Sequence, residues 1–299
     1  GHEDMNLGLG KFQFSQIKLN MGLLFWHSSK VCLCVFLILL CHIQLMKKLF
    51  IVFMCCASVF GVETKEFEYK IGNESYQGFI ASPGGGKKFP GVLVVHEWWG
   101  HNEYPRMRAK ELAEKGYVAF AIDLFGKGKV ATHPKKAKEF ASSAMGDMDG
   151  LEKKFKKALS ILKDRDDVNN DKIAAIGFCF GGTVVLQMAK SGVPLDLVAS
   201  FHGGLPEKYD IPKRGDNPKV LIFNGAADPM ITEEQLKGIE KSLKQADIDY
   251  TVKNYVGAKH AFTNPEASKI GKKFKMPLEY DEKAAKDSWD VLLKNLGKI

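Results

Sequence analysis

The feature of this chain that most constrains its fold is the alternation of short apolar runs with longer amphipathic segments after residue 62. Short, continuous apolar runs are typical of strands that are buried on both faces of a parallel sheet. The segments between them space their apolar residues as helices do, and Gly, Pro, Asp or Thr stands at their ends. This alternation predicts an α/β domain whose mostly parallel sheet is flanked by helices.

We predict about eight strands and an antiparallel amino-terminal edge. Residues 66–71 and 75–81 alternate in polarity across Gly72 and Asn73, which predicts a β-hairpin. Buried strands are predicted at residues 91–97, 118–122, 172–178, 195–201, 219–224 and 250–256. Helices are predicted at residues 104–115, 134–144, 147–165, 183–190, 232–246 and 279–296. Right-handed crossovers then bring the loops that follow the strands to one edge of the sheet, where ligands bind in such folds.

The amino-terminal stretch differs from the rest of the chain. Two lysines follow Met46, and an apolar run then ends at Gly61. This pattern predicts a secretory signal peptide at residues 46–61. Residues 1–45 are then an upstream extension or an added cloning sequence, and one domain spans residues 62–299. We therefore predict a periplasmic or secreted protein that is not inserted in a membrane after cleavage. The alternative is a protein that an uncleaved leader anchors to the membrane.

The cysteines are unevenly distributed along the chain. Five of the six lie in the leader region, at positions 32, 34, 41, 55 and 56, and the predicted domain holds only Cys179. A single cysteine cannot form an internal disulfide, and a lone cysteine in an exported protein is a candidate reactive thiol. The alternative is that Cys179 is a small, buried apolar side chain.

The formal net charge of +8 raises the question of a nucleic-acid partner. The lysines, however, are spread over several predicted helices, and acidic residues are mixed among them. Mixed charges of this kind are typical of solvated helix faces. We therefore predict no nucleic-acid partner. The oligomeric state is not readable from the sequence.

A candidate nucleophile stands where a buried strand meets a helix. Cys179 lies between Gly177 and Gly181, in the G-x-C-x-G spacing of a nucleophile elbow with cysteine in the place of serine. The sharp turn needs neighbours without side chains, and it places the nucleophile at a helix amino terminus, where aligned peptide dipoles favour a thiolate. The spacing alone is weak, because glycine turns after strands are common.

Two residues at later strand ends complete a candidate triad. Asp228 follows one predicted strand, and His260 follows the next. The order nucleophile, acid, histidine is that of α/β-hydrolases. Asp228 is predicted to hold the imidazole tautomer, and His260 is predicted to transfer protons. His202 is a rival base, but it precedes the acid in the chain.

The cluster of His96, Glu97 and His101 raises the question of a metal site. Their spacing is not that of the helical zinc-protease motif, and His96 and Glu97 point to opposite faces of a strand. We predict no metal and no cofactor.

The sequence resembles the dienelactone hydrolase (carboxymethylenebutenolidase) family of α/β-hydrolases. The resemblance covers nearly everything after residue 65 and rests on residues 96–100, 177–182, Asp228 and 257–262. It implies a Cys-His-Asp triad that opens lactones through an acyl-enzyme. It also implies that Glu97 contacts and helps to activate the resting thiol, and that the backbone N–H groups of Trp98 and Phe180 form the oxyanion hole.

Two positions depart from the family's pattern for binding a substrate carboxylate. The resemblance implies an arginine shortly after the histidine, where this chain has Asn264, and a second arginine where it has Lys127. A lysine does not replace a planar guanidinium. These two positions, together with the aromatic residues Trp99 and Phe125, are the predicted substrate-binding residues.

We therefore predict a hydrolase of small esters or lactones that is similar to dienelactone hydrolase, and the sequence leaves open whether dienelactone itself is a substrate. The alternative is a non-catalytic binding protein that keeps the fold. A thiol redox protein is a weaker alternative, because Cys179 has no second cysteine near it.

Overall fold

The computed structural model of this protein describes residues 61–206 and 208–299. The predicted extension and all but the last residue of the predicted signal peptide lie outside this part of the chain, and both stay predictions. In the described part, the helices are too short or too polar to cross a membrane.

The predicted α/β-hydrolase fold is confirmed. Eight strands of the described chain form one sheet, in the order β1-β2-β4-β3-β5-β6-β7-β8. The first two pairings, β1 with β2 and β2 with β4, are antiparallel, and all the others are parallel. The strands are β1 (Glu63–Ile71), β2 (Glu74–Ser82), β3 (Phe89–Val95), β4 (Val118–Ile122), β5 (Val168–Phe178), β6 (Leu197–Phe201), β7 (Lys219–Gly225) and β8 (Tyr250–Tyr255).

Seven helices of the described chain connect or follow these strands. They are α1 (Glu103–Glu114), α2 (Pro134–Gly146), α3 (Met148–Lys163), α4 (Phe180–Ser191), α5 (Glu233–Gln245), α6 (Ala267–Phe274) and α7 (Glu282–Leu296). Side-chain caps explain where four of them begin, because Asn102, Asp147, Thr232 and Asp281 each accept a hydrogen bond from a backbone N–H in the first turn of α1, α3, α5 and α7.

The helices cover both faces of the sheet. Phe155 of α3, Val184 of α4 and Ile239 of α5 belong to the apolar core on one face. Leu112 of α1 and Leu292 of α7 belong to the core on the other face. All five side chains are fully buried, and the burial of each contributes about 1.5–3 kcal/mol. Because helices cover both faces of the sheet, the loops at the carboxyl ends of the strands are where polar side chains can gather.

Some element boundaries differ from the sequence prediction. Strand β5 begins at Val168, four residues before the predicted start at 172, because its polar beginning pairs with Phe89 and Pro90 ahead of a register shift. Helix α4 begins at Phe180 and not at residue 183, since the chain enters the helix directly from the turn at Cys179. Helix α6 was not predicted.

Candidate active site

Cys179 occupies a sharp turn between β5 and α4. Its backbone has φ 53° and ψ −115°, in the left-handed half of conformational space that costs a residue with a side chain about 1–3 kcal/mol. The neighbours must be glycine: a Cβ on Gly177 would lie 2.0 Å from the carbonyl oxygen of Gly181, and one on Gly181 would lie 2.5 Å from that of Val95. These contacts explain the G-x-C-x-G spacing and leave the thiol partly exposed.

The backbone of Cys179 is held from both sides of the turn. Its N–H donates to the carbonyl of Phe201 at 3.0 Å and to Nδ1 of His202 at 3.2 Å. Its carbonyl accepts from the N–H groups of Gly182 and Thr183. Because Nδ1 of His202 accepts a backbone proton, this histidine is engaged with the amide of the candidate nucleophile.

Asp228 and His260 meet beside the turn. Oδ2 of Asp228 lies 2.6 Å from Nδ1 of His260, and both side chains are more than nine-tenths buried. Burial lowers the pKa of His260, but the charge of Cys179 and hydrogen bonds to Asp228 and to the sulfur of Cys179 raise it to about 10. Asp228 and His260 are thus hydrogen-bonded to each other, and the imidazole is close enough to Cys179 to respond to its charge.

Glu97 lies at the end of β3, almost fully buried. Burial raises the pKa of its carboxyl group to about 7, against the opposing effects of a hydrogen bond from Asn264 and the positive charges of His260 and Arg108. Nδ2 of Asn264 donates to Oε2 of Glu97 at 2.7 Å. The amide of Asn264 is therefore bound to the predicted activating carboxylate.

A buried polar network behind the site was not predicted. Nε2 of His202 lies 2.7 Å from Oγ1 of Thr263, and this hydroxyl lies 2.6 Å from that of Tyr104. The guanidinium of Arg108 donates to the Tyr104 hydroxyl and, at 2.6 Å, to the carbonyl of Thr263. The network ties the loop that carries His260 to the turn at Cys179. It joins residues far apart in the chain, so no local spacing could have revealed it.

The two predicted oxyanion donors lie after β3 and at the start of α4. Phe180 is the first residue of α4, so its N–H has no partner within the helix. The N–H of Trp98 follows Glu97 directly, and no acceptor for it occurs among residues 61–206 and 208–299.

The predicted substrate-binding residues are in different environments. Trp99 is buried against Trp98 and Phe274 and lines a cavity of about 260 Å³ with Ile270. Phe125 is buried, its ring packed against Phe180 at a centroid distance of 5.2 Å. The side chain of Lys127 is exposed and forms an ion pair with Glu68 of β1. Substrate binding by these residues stays a prediction.

His96 and His101, two members of the cluster that could suggest a metal site, bind backbone carbonyls. Nδ1 of His96 lies 2.6 Å from the carbonyl oxygen of Glu97, and Nε2 of His101 lies 3.0 Å from that of Ala121. Within the described part of the chain, no group of three His, Cys, Asp or Glu side chains is arranged to hold a metal ion.

The strand order and the turn at Cys179, with acidic and histidine side chains at later strand ends, define an α/β-hydrolase. The chain belongs to the dienelactone hydrolase family, whose model matches residues 76–299. It is 32% identical over 232 residues to Protein usf of Aquifex pyrophilus, which covers 75% of this chain and 94% of that protein. Membership in this family makes the protein a hydrolase that acts on ester bonds.

Solved structures of similar proteins agree with this assignment. The crystal structure of a dienelactone hydrolase-like promiscuous phosphotriesterase from metagenomic libraries matches with a TM-score of 0.73 at 30% identity, over 80% of this chain and 98% of that one. The structure of m3DLH matches with a TM-score of 0.72 at 30% identity, over 80% of this chain and 99% of that one.

Proposed function

We propose that this protein hydrolyses small, neutral esters or lactones through an acyl-enzyme on Cys179. The observation that carries the proposal is the 2.6 Å hydrogen bond between Asp228 and His260 beside the turn at Cys179, at the edge of the sheet where β5, β7 and β8 end. A thiol next to a histidine that a carboxylate orients is the arrangement that activates a cysteine nucleophile.

In the acylation step, His260 holds the proton of the Cys179 thiol while the sulfur attacks the carbonyl carbon of the ester. The carbonyl oxygen becomes an oxyanion, for which the N–H groups of Trp98 and Phe180 are the proposed donors. When the intermediate collapses, His260 gives its proton to the departing alkoxide. Asp228 keeps the proton on Nδ1 of the imidazole, so that Nε2 faces the reaction. In a lactone, the leaving alcohol stays attached to the acyl group.

In the deacylation step, the now neutral His260 removes a proton from a water molecule, which attacks the thioester. The second tetrahedral intermediate releases the acid and returns the sulfur to its resting state, with the proton again shared between Cys179 and His260. Both steps use the same oxyanion donors.

A panel of nitrophenyl esters and simple lactones tests this proposal, with mass spectrometry of the quenched enzyme. We expect turnover of short acyl esters and, at early times, a mass increase equal to the acyl group on the peptide that contains Cys179. Absence of both signals across the panel would favour the alternative, a binding protein that keeps the hydrolase fold.

Replacing Glu97 with glutamine is expected to speed alkylation of Cys179 by iodoacetamide while slowing ester turnover. We propose that the charged carboxylate disfavours a thiolate nearby and helps to activate the thiol when substrate binds. Because the pKa of Glu97 is raised to about 7 by burial, the parent carries this charge mainly above pH 7. The alkylation rates should therefore agree at pH 6 and differ by about threefold or more at pH 8.

The exposed Glu139 supplies the control for this experiment. It lies on α2 in an ion pair with Lys136, and Glu139→Gln should change neither rate. If Glu97→Gln matched the parent in both alkylation and turnover across this pH range, Glu97 would have only a structural role.

The enzyme is expected to process a neutral lactone better than the matching carboxylated one. The side chain of Asn264 is hydrogen-bonded to Glu97. Three cationic side chains are candidates for binding a substrate carboxylate, and each forms an ion pair with an acidic residue. The pairs are Lys127 with Glu68, Arg106 with Glu66, and Lys259 with Glu279. A substrate carboxylate that entered the site would lose its hydrating water, and no arginine side chain would replace those hydrogen bonds. We expect kcat/KM for the primary carboxamide of the lactone acid to exceed that for the free acid by roughly tenfold.

This comparison keeps the reacting ring the same and changes only the charge of the substituent. The pair should be measured at low and high ionic strength, since long-range attraction by the positive net charge is screened by salt. A preference for the free acid that persists at high salt would contradict the prediction and would indicate a cationic clamp built from one of these three residues.

A further inference from the structure

His96 is held among backbone groups at the carboxyl ends of β3 and β4. Its side chain is fully buried. Nδ1 lies 2.6 Å from the carbonyl oxygen of Glu97, and Nε2 accepts a hydrogen bond from the N–H of Leu124 at 3.2 Å. The ring of Phe125 packs edge-on against the imidazole at 4.6 Å, and that of Phe180 stacks on it at 5.8 Å.

These contacts define one tautomer of His96. Since the N–H of Leu124 points its proton at Nε2, this nitrogen carries none of its own. The ring proton is therefore on Nδ1, which donates it to the carbonyl of Glu97. Burial lowers the pKa of His96, against the charge of Asp123, so the ring stays neutral. Unlike His260, this histidine has both nitrogens occupied by backbone groups and no proton to exchange with a substrate.

The carbonyl that His96 binds belongs to the peptide unit whose N–H is that of Trp98. The same carbonyl also accepts the N–H of Gly100 at 3.1 Å. In a trans peptide the C=O and N–H lie in one plane and point in opposite directions. The hydrogen bonds from His96 and Gly100 to the oxygen therefore also fix the direction of the Trp98 N–H. Hydrogen bonds in series also polarise one another, by about 10–30% per bond, which makes the N–H a stronger donor.

We infer that His96 is a positioning residue for the oxyanion hole: by donating from Nδ1 to the Glu97 carbonyl, it orients and polarises the Trp98 N–H toward the reacting carbonyl oxygen. This inference rests on the proposed function, because it assigns a role within the same acyl transfer. The ring also links the two halves of the hole, since Phe180, which supplies the other proposed donor, stacks on its face.

Two substitutions at His96 test the inference by its chemistry. His96→Phe keeps an aromatic ring between Phe125 and Phe180 but removes the donor and the acceptor. His96→Gln offers an amide that can again donate to the Glu97 carbonyl and accept from the Leu124 N–H. Loss of a complete oxyanion donor costs 10²–10³ in kcat, so we expect a drop of roughly 10-fold to 100-fold for His96→Phe, with KM nearly unchanged. We expect His96→Gln to recover turnover to within about threefold of the parent.

Alkylation of Cys179 by iodoacetamide separates this role from a general disturbance of the site. Alkylation forms no oxyanion, so its rate should be nearly the same in the parent and in both variants. Equal losses of alkylation and turnover in His96→Phe, or a folded His96→Gln variant with no recovery, would overturn the inference. Thermal melting of each variant establishes that it is folded.

The tautomer can be measured in the unsubstituted protein, whether or not the variants fold. Long-range ¹H–¹⁵N correlation spectra of the imidazoles should show His96 with its proton on Nδ1, unchanged between pH 5 and 9. A proton on Nε2, or titration in this range, would overturn the inference while leaving the proposed function intact. If the tautomer is as expected but the parent hydrolyses no ester of the panel, the proposed function fails, and the inferred role fails with it.

Discussion

Replacement of Cys179 with alanine is expected to remove ester hydrolysis and leave the fold intact. The side chain lies at the start of α4 on a turn that Gly177 and Gly181 shape, and its charge acts on the imidazole of His260. Without the sulfur no acyl-enzyme can form, and residues of a triad act as one unit. We therefore expect kcat/KM to fall by roughly 10⁴-fold or more. Initial rates with a nitrophenyl ester, at high enzyme concentration, measure this loss.

The matched control for this variant is Cys179→Ser, which keeps a nucleophilic atom of similar geometry. A hydroxyl is far less acidic than a thiol, so the serine variant should also lose most activity but still form a slowly hydrolysed acyl-enzyme. Melting temperatures of both variants should stay close to that of the parent, because the thiol is only partly buried. Retention of most of the activity by Cys179→Ala would show that another residue attacks the ester.

The strands and helices with strong local periodicity could be predicted from the sequence. Strand β4 coincides with the predicted 118–122, and α5 lies within the predicted 232–246. The first residues of β5 could not be predicted, because Asn169 and its polar neighbours join the sheet only through backbone pairing beyond the register shift at Pro90. Helix α6 is short and follows Pro265, so its one apolar face is too brief to give a periodic signal.

The site is predictable to the extent that it follows from chain order. Cys179, Asp228 and His260 follow β5, β7 and β8, and the rule that parallel strands end at one edge brings them together. The contacts of Asn264 could not be predicted in this way, because its partner Glu97 is 167 residues away. The same holds for His202, whose role in holding the Cys179 N–H depends on the strained φ of 39° at the end of β6.

Replacing Asp228 with asparagine should have an effect nearly as large as loss of the thiol. Oδ2 accepts the Nδ1 proton of His260 at 2.6 Å, and Oδ1 accepts the N–H of Met230 at 2.9 Å. Asparagine can keep the bond to Met230 with its oxygen, but it then points its NH₂ group at Nδ1. The imidazole must respond by carrying its proton on Nε2, the nitrogen that has to face the sulfur as an acceptor. We expect kcat to fall about 10³-fold to 10⁴-fold.

The pH dependence of Asp228→Asn distinguishes this cause from simple loss of structure. In the parent, Cys179 and the bond to Asp228 raise the pKa of His260 against the effect of burial. Removing the carboxylate takes away part of that support, so the pKa of His260 must fall. The imidazolium that protonates the leaving group is then lost at lower pH, and the alkaline limb of the rate profile should move to lower pH.

The control is Asp216→Asn, at an exposed position that faces Arg214, and it should leave the profile unchanged. An alkaline limb that stayed in place in a folded Asp228→Asn variant would mean that Asp228 does not set the charge of His260.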